Sequence, residues 1–113
     1  MDFIGSNAIT LYPETSGYPI TFIFAAANAA GLGGSLPHGS TISSAAIKVM
    51  AYGGPEITSA TVHQVQVDGS GLEVRAAFNH PPLAKKGMCA VLLKLTLSTG
   101  VVIVKRWDGL KVA

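Results

Sequence analysis

The sequence predicts an all-β domain in which short antiparallel strands form a two-sheet sandwich. Three observations favour this fold class. Apolar and polar residues alternate with a period of two in most of the chain, and clusters of Gly, Pro, Asn and Asp separate the alternating stretches. No stretch shows the convincing period of an amphipathic helix. About seven strands in 113 residues is typical of a single β-sandwich domain.

Three strands are predicted in the first half of the chain. Residues 8–12 form a short strand that ends at Pro13, because proline cannot donate a ladder hydrogen bond. Residues 20–27 form a core strand, since apolar side chains recur there at every second position. Residues 41–51 form a third strand, whose first apolar residue is out of phase with the rest. A β-bulge at Ser43-Ser44 restores that phase.

The second half of the chain alternates more regularly. Asp68-Gly69-Ser70-Gly71 separates two alternating stretches and predicts a β-hairpin. Cys89 lies on the apolar face of the most hydrophobic strand, and Ser98-Thr99-Gly100 turns the chain into the last one. The four strands predicted here cover residues 64–67, 72–79, 89–97 and 101–107, the last extended by Leu110 and Val112.

The stretch from Pro19 to Gly31, PITFIFAAANAAG, has the apolar run and Ala-x-Ala pattern of a secretion signal. However, the first 47 residues contain no Lys or Arg, whereas a signal peptide needs a basic segment before its apolar core. The stretch is therefore predicted to be a strand of the fold, with no signal peptide. Residues 25–36 are the one helix candidate, and their glycines favour a loop or a single turn.

Charge is sparse and unevenly distributed along the chain. Charged residues make up 12% of the sequence, against about 25% in an ordinary soluble domain, so part of the surface is expected to be neutral or apolar. Residues 1–73 hold five acids and one base, whereas residues 74–113 hold seven bases and one acid. This split favours head-to-tail association of copies, in which a basic surface meets an acidic one.

No arrangement of residues predicts catalysis, a cofactor or a metal. His38, His63 and His80 lack the paired ligands of a structural zinc site, although His38 and His80 lie in loops that could meet. Cys89 is the only cysteine and is expected to be a buried, unreactive thiol. Gly31-Leu-Gly-Gly-Ser35 lacks the Lys and the setting of a phosphate-binding loop. The chain is therefore predicted not to be an enzyme.

A basic and aromatic group of residues is the candidate interaction surface. It comprises Lys85, Lys86, Lys105, Arg106 and Trp107. A nucleic-acid ligand is not favoured, because Lys105 and Arg106 point to opposite faces of a strand and one Trp does not make a stacking platform. No run of residues reaches the length of a membrane-spanning helix.

The segment Leu36-Pro-His-Gly-Ser-Thr-Ile-Ser-Ser-Ala-Ala-Ile-Lys-Val49 resembles a pattern of small immunoglobulin-like proteins from tailed-phage and prophage head–tail gene clusters. Their L-x-x-G-x-T-I-S-S-A-x-V-x-V segment opens a similar domain. Lys86-Gly87 and the alternating strands up to Trp107 are similar to the second half of that family. The likeness covers residues 20–113, with Cys89 where an aromatic is common and with a longer leader.

The resemblance implies an immunoglobulin-like sandwich over residues 20–113, preceded by a leader, residues 1–19, with one short strand. It also implies a non-enzymatic virion accessory protein, present in the bacterial cytoplasm during assembly and then in the particle. Its partners would be other virion proteins or further copies of itself. The alternative is a ligand-binding sandwich, for example one that recognises carbohydrate through Tyr12, Tyr18, Tyr52 and Trp107.

Overall fold

The computed structural model describes residues 8–24, 36–37 and 40–113, together with the backbone of residues 2 and 3. Two β-sheets pack face to face, and one helical turn connects them. The elements are β1 Asp2–Phe3, β2 Ile9–Leu11, β3 Tyr18–Ile23, β4 Ile42–Met50, α1 Thr58–Thr61, β5 Val62–Val67, β6 Glu73–Phe78, β7 Gly87–Leu97 and β8 Val102–Val112. The helical turn α1 was not predicted.

The larger sheet has the strand order β4-β7-β8, and β1 and β2 lie one after the other along the outer edge of β8. The smaller sheet has the order β3-β6-β5. These two orders correspond to strands C, F, G and B, E, D of immunoglobulin constant-type domains. The predicted two-sheet β-sandwich of about seven strands is confirmed, because β1 and β2 share one edge and the eight strands occupy seven positions.

Two pairings depart from the antiparallel prediction. Both β1 and β2 run parallel to β8, with Leu11 opposite Val112. Leu11 is fully buried, so the short strand expected in the leader forms part of the larger sheet and contributes to the core. Alternation along a strand shows which side chains are buried, but it does not show the direction of the neighbouring strand.

The core lies between the sheets and is built from the alternating positions of each strand. Phe22 of β3 meets Trp107 of β8 across it, edge to face, with ring centroids 5.6 Å apart. The predicted bulge is confirmed by a shift of register between Ile42 and Ser44. Ser43 Oγ donates a hydrogen bond to the carbonyl oxygen of Thr96 there, at 2.9 Å.

The predicted hairpin between β5 and β6 is also confirmed. The amide of Gly71 donates to the carbonyl oxygen of Asp68 at 3.0 Å, which closes the turn. Gly71 has a φ of +71°, and a Cβ at this position would lie 2.7 Å from the Cβ of Thr41. Only glycine fits this turn, because both the backbone conformation and the contact with Thr41 exclude a side chain.

Candidate functional site

Three loops meet at one end of the sandwich, and large apolar side chains are exposed there. The loops connect β2 to β3, β4 to α1 and β6 to β7. Of the nine large hydrophobic residues that are exposed in the described part of the chain, five lie on these loops or at the strand ends beside them. They are Tyr12, Tyr18, Tyr52, Leu83 and Met88. We call residues 12–18, 51–57 and 79–88 the tyrosine end.

Hydrogen bonds hold two of these loops together. The amide of Gly17 donates to Asn79 Oδ1 at 2.6 Å, and the amide of His80 donates to the carbonyl oxygen of Thr15 at 3.1 Å. The His80 ring places Nε2 2.9 Å from the carbonyl oxygen of Ala113, so Nε2 carries the proton, because a carbonyl only accepts. His80 therefore fastens the loop to the end of β8.

The third loop positions Tyr52. The amide of Ile57 donates to the carbonyl oxygen of Val49, and the amide of Val49 donates to Thr58 Oγ1, at 2.8 and 2.9 Å. These bonds fold residues 51–57 back along the outer edge of β4. The Tyr52 side chain then lies against Gly87, where a Cβ would approach the Tyr52 Cγ to 3.0 Å.

Lys85 lies over the ring of Tyr52. Its Nζ is 5.4 Å from the ring centroid, within the range of a cation–π interaction. The loop that carries Lys85 contains a turn in which the amide of Ala84 donates to the carbonyl oxygen of Pro81 at 3.1 Å. Leu83 lies at the tip of this turn, and 98% of its surface is exposed. The turn therefore presents an apolar side chain beside two lysines.

A cleft of about 420 Å³ opens beside Tyr52 on the outer face of the larger sheet. Arg106 and Asp108 border it, and Arg106 Nε donates to Asp108 Oδ1 at 2.8 Å. Its other lining residues are Met50, Ala51, Tyr52, Gly53, Gly54, Met88, Cys89 and Ala90. Thioether, aromatic and ionic groups thus share one open site.

Cys89 lies at the back of this cleft and is buried, as predicted. Its Sγ is 3.9 Å from the carbonyl oxygen of Gly87. Burial raises the pKa of the Cys89 thiol, and a hydrogen bond with the backbone of Tyr52 acts in the opposite direction. Desolvation is the larger effect, so the thiol is protonated at neutral pH and is a poor nucleophile.

The structure divides the predicted interaction surface into two parts. Lys85 and Lys86 are exposed on the tyrosine end, and Arg106 borders the cleft. Lys105 and Trp107 are 2% and 3% exposed, so the prediction that they belong to a surface is wrong. They lie two positions apart on β8, which places both side chains on the face that packs against the other sheet.

The aromatic platform proposed for a carbohydrate ligand is also incomplete. Tyr12, Tyr18 and Tyr52 are exposed, but Trp107 packs against Phe22 in the core. No group of three or more His, Cys, Asp or Glu residues that could hold a metal ion occurs among the described residues. His38, whose loop could meet that of His80, lies outside the described residues.

Three ion pairs bear on the predicted head-to-tail stacking of oppositely charged surfaces. Glu56 pairs with Lys48 at 3.6 Å, Glu73 pairs with Arg75 at 3.1 Å, and Asp108 pairs with Arg106. Three of the acids are thus each beside a base on the folded chain. The outer face of the larger sheet carries Lys48, Lys94, Arg106 and Lys111.

Sequence reasoning missed Leu83 and Met88. The exposure of Leu83 could have been predicted from its position, because it is a large apolar residue in a loop between Pro81-Pro82 and Lys85-Lys86. Met88 is the second residue of β7, next to the buried Cys89. It is 45% exposed, because neighbouring side chains on a strand point to opposite faces. The strand order was needed to show that these residues and Tyr52 lie at the same end.

Comparison with protein-family models, with curated proteins and with solved structures finds no match to this chain. Among the described residues, no helix has the length and apolar character needed to cross a membrane.

Proposed function

We propose that this protein is a non-enzymatic interaction module that docks onto another protein through the tyrosine end. The observation that carries the proposal is the concentration of exposed large apolar side chains on three neighbouring loops, two of which are joined by hydrogen bonds. Clusters of this kind on a folded domain are typical of protein–protein contact surfaces. Tyrosine and methionine are also enriched in such interfaces.

The energetics favour docking through this end. Burying one exposed side chain such as Leu83 contributes about 1.5–3 kcal/mol. The loops are held by hydrogen bonds between Gly17 and Asn79 and between His80 and Thr15. A partner therefore meets a surface that is already ordered, and little conformational entropy is lost on binding.

The biological setting that we propose is a tailed phage or prophage particle. It is supported by the likeness of residues 36–49 to the pattern of head–tail accessory proteins. In that setting the chain is present in the bacterial cytoplasm during assembly and is then incorporated at the head–tail connection or in the tail. Other virion proteins, rather than further copies of this chain, are the favoured partners, because three acids of the described surface each pair with a base of the same chain.

The test is recovery of a tagged chain from the organism that encodes it, followed by quantitative mass spectrometry. We expect structural particle proteins to be recovered with the natural chain. Their recovery should be lost when Tyr52→Ala and Leu83→Asp are combined. Ile23→Ser is the matched control, because Ile23 is an exposed apolar residue of β3, in the smaller sheet. Equal recovery with all three chains, or recovery of no particle protein, would refute the proposal.

Carbohydrate binding is a second candidate, favoured by the position of Tyr52. Its exposed ring borders a cleft that also holds the Arg106–Asp108 pair, and sugars combine an apolar face with hydrogen-bonding hydroxyls. The test is titration with a panel of soluble oligosaccharides, followed through the NMR signals of the Tyr52 ring. Saturable shifts confined to the cleft would favour this candidate over protein docking.

A further inference from the structure

We propose that the cleft beside Tyr52 binds an acidic segment of the partner protein, with one apolar side chain of that segment inserted into the cleft. This inference rests on the proposed function, because it names the chemistry of the partner that docks on the tyrosine end. It follows from three properties of the cleft: its walls, its size and its charge.

The walls of the cleft are apolar and adaptable. Met50 and Met88 contribute thioether side chains from neighbouring strands, and Ala90 is opposite Met50 in register and two positions after Met88. The ring of Tyr52 forms the side next to the loop. Methionine fits apolar side chains of different shapes, because its unbranched chain has several rotatable bonds and a polarisable sulfur. These walls suit an apolar side chain of the partner.

The size of the cleft matches a side chain with part of its backbone. A closed apolar cavity of about 150 Å³ accommodates a benzene ring. The cleft has a volume of about 420 Å³ and is open to solvent. It therefore has room for one aromatic or branched side chain, and for the neighbouring residues of an extended segment at its mouth.

Charge determines which segment fits. Arg106 borders the cleft, Lys85 lies over Tyr52, and Lys111 is paired in register with Met88. The carboxylate in the cleft is that of Asp108, which accepts a hydrogen bond from Arg106. Glu56, on the same loop as Tyr52, pairs with Lys48. The bases outnumber the acids around the cleft, so carboxylates that flank the apolar side chain are attracted and basic segments are repelled.

A second copy of this chain is a poor occupant of the cleft. The most exposed large apolar side chain of the described residues, Leu83, is followed by Lys85 and Lys86. Inserting this loop into the cleft of another copy would place those lysines near Arg106 and Lys111. Bringing these like charges close together would destabilise the contact between two copies. The partner is therefore a different, acidic protein.

The test uses the whole purified chain and short synthetic peptides in calorimetric titrations. The probe is an acidic peptide of Asp and Glu with one central Phe. Two control peptides carry Lys in place of the acids or Ser in place of the Phe. We expect saturable binding of the acidic Phe peptide that weakens as salt is added, and no binding of the controls.

Variants locate the site. Combining Lys85→Glu and Arg106→Glu should weaken binding of the acidic peptide by about tenfold or more, and Tyr52→Ala should weaken it without a change in charge. Arg75→Glu is the matched control, since Arg75 is an exposed base of β6, in the other sheet. Melting temperatures and the NMR spectrum show whether each variant is folded.

Three outcomes would overturn the inference: no binding of the acidic peptide, equal binding of the basic one, or equal weakening by Arg75→Glu. Its failure is distinguishable from failure of the proposed function. If the Tyr52 and Leu83 variants lose the particle proteins while the acidic peptide does not bind, the tyrosine end docks a partner of different chemistry. If the natural chain recovers no particle protein, the proposed function itself is wrong.

Discussion

At the scale of single residues, the position of Lys105 on β8 determines that its side chain is buried, although lysine side chains are usually exposed. Lysine is among the residues least often buried, yet Lys105 is 2% exposed. It precedes Trp107 by two positions on β8, and Trp107 is fixed in the core by Phe22. Because side chains two positions apart share a face, Lys105 follows Trp107 to the inside. In the backbone register, Asp2 of β1 pairs with Lys105.

Cys89 permits a direct check of the facing of β7. We expect a thiol reagent to label Cys89 slowly in the native state, because the side chain is buried and burial raises the pKa of its thiol. Labelling should become fast and stoichiometric once denaturant unfolds the chain. Fast labelling of the folded protein would mean that the side of β7 that carries Cys89 faces solvent.

The carboxylate of Asp68 accepts hydrogen bonds within the hairpin turn, from the amide and the hydroxyl of Ser70. The pKa of its carboxyl is held below the ordinary value of 3.8, chiefly because Ser70 Oγ donates a hydrogen bond to Oδ1 at 2.6 Å. A lowered folded-state pKa contributes stability above the unfolded-state pKa, and this contribution is lost as pH falls through the folded-state value.

We expect an NMR titration to give Asp68 a pKa below 3.8, and Ser70→Ala to move that pKa upward. Ser59→Ala is the control, because Ser59 is exposed on α1, away from this turn. An Asp68 titration that is unchanged by Ser70→Ala would contradict the assigned cause.

At the scale of elements, β3 and the residue that follows it place two aromatic side chains, Phe22 and Phe24, in the core between the sheets. Phe22 and Phe24 are 4% and 1% exposed, and Phe22 also contacts Trp107 of the other sheet. We expect Phe22→Ala or Phe24→Ala to lower the free energy of unfolding by about 3–5 kcal/mol. Thr21→Ala, on the exposed face of the same strand, should change it little. Chemical denaturation measures all three, and an unchanged stability for both Phe variants would refute the facing of β3.

Much of this architecture follows from local sequence. The bulge at Ser43-Ser44 could be predicted, because a break in alternation can only be repaired by an extra residue. The hairpin at residues 68–71 was equally clear from its Asp and Gly residues. The parallel pairing of β2 with β8 could not be predicted, since the residues that decide it, such as Leu11 and Val112, lie 101 positions apart in the chain.

The candidate site was predictable only in part, for the same physical reason. The sequence predicted Lys85, Lys86 and Arg106 as interaction residues because they are basic. Their relation to Tyr52 depends on which loops share an end of the sandwich, and this is a property of strand order. The contact of Tyr52 with Gly87 likewise joins two segments that are distant in sequence.

At the scale of the whole molecule, charge pairing bears on self-association. The sequence favoured head-to-tail stacking, whereas Glu56, Glu73 and Asp108 each pair with a base of the same chain. We therefore expect a sedimentation coefficient that does not rise when salt is lowered, because these three acids already have partners within the chain. Sedimentation velocity over a range of salt and protein concentrations is the measurement. A mass that grows at low salt, and that falls on charge reversal at Lys85 and Lys86, would restore the stacking hypothesis.

The parallel pairing of β2 with β8 also has a mechanical consequence. The chain enters β2 and leaves β8 at opposite ends of this pair, so tension between residues 8 and 113 pulls the two strands past each other along their length. The three paired positions then carry the load together. Tension between residues 86 and 113 instead peels β7 from β8 one pair at a time, because these strands are antiparallel. We expect single-molecule stretching to require more force in the first geometry, and similar forces in both would contradict the parallel register. A protein that joins two parts of a larger assembly through its terminal strands would in this way resist being pulled open along its own axis.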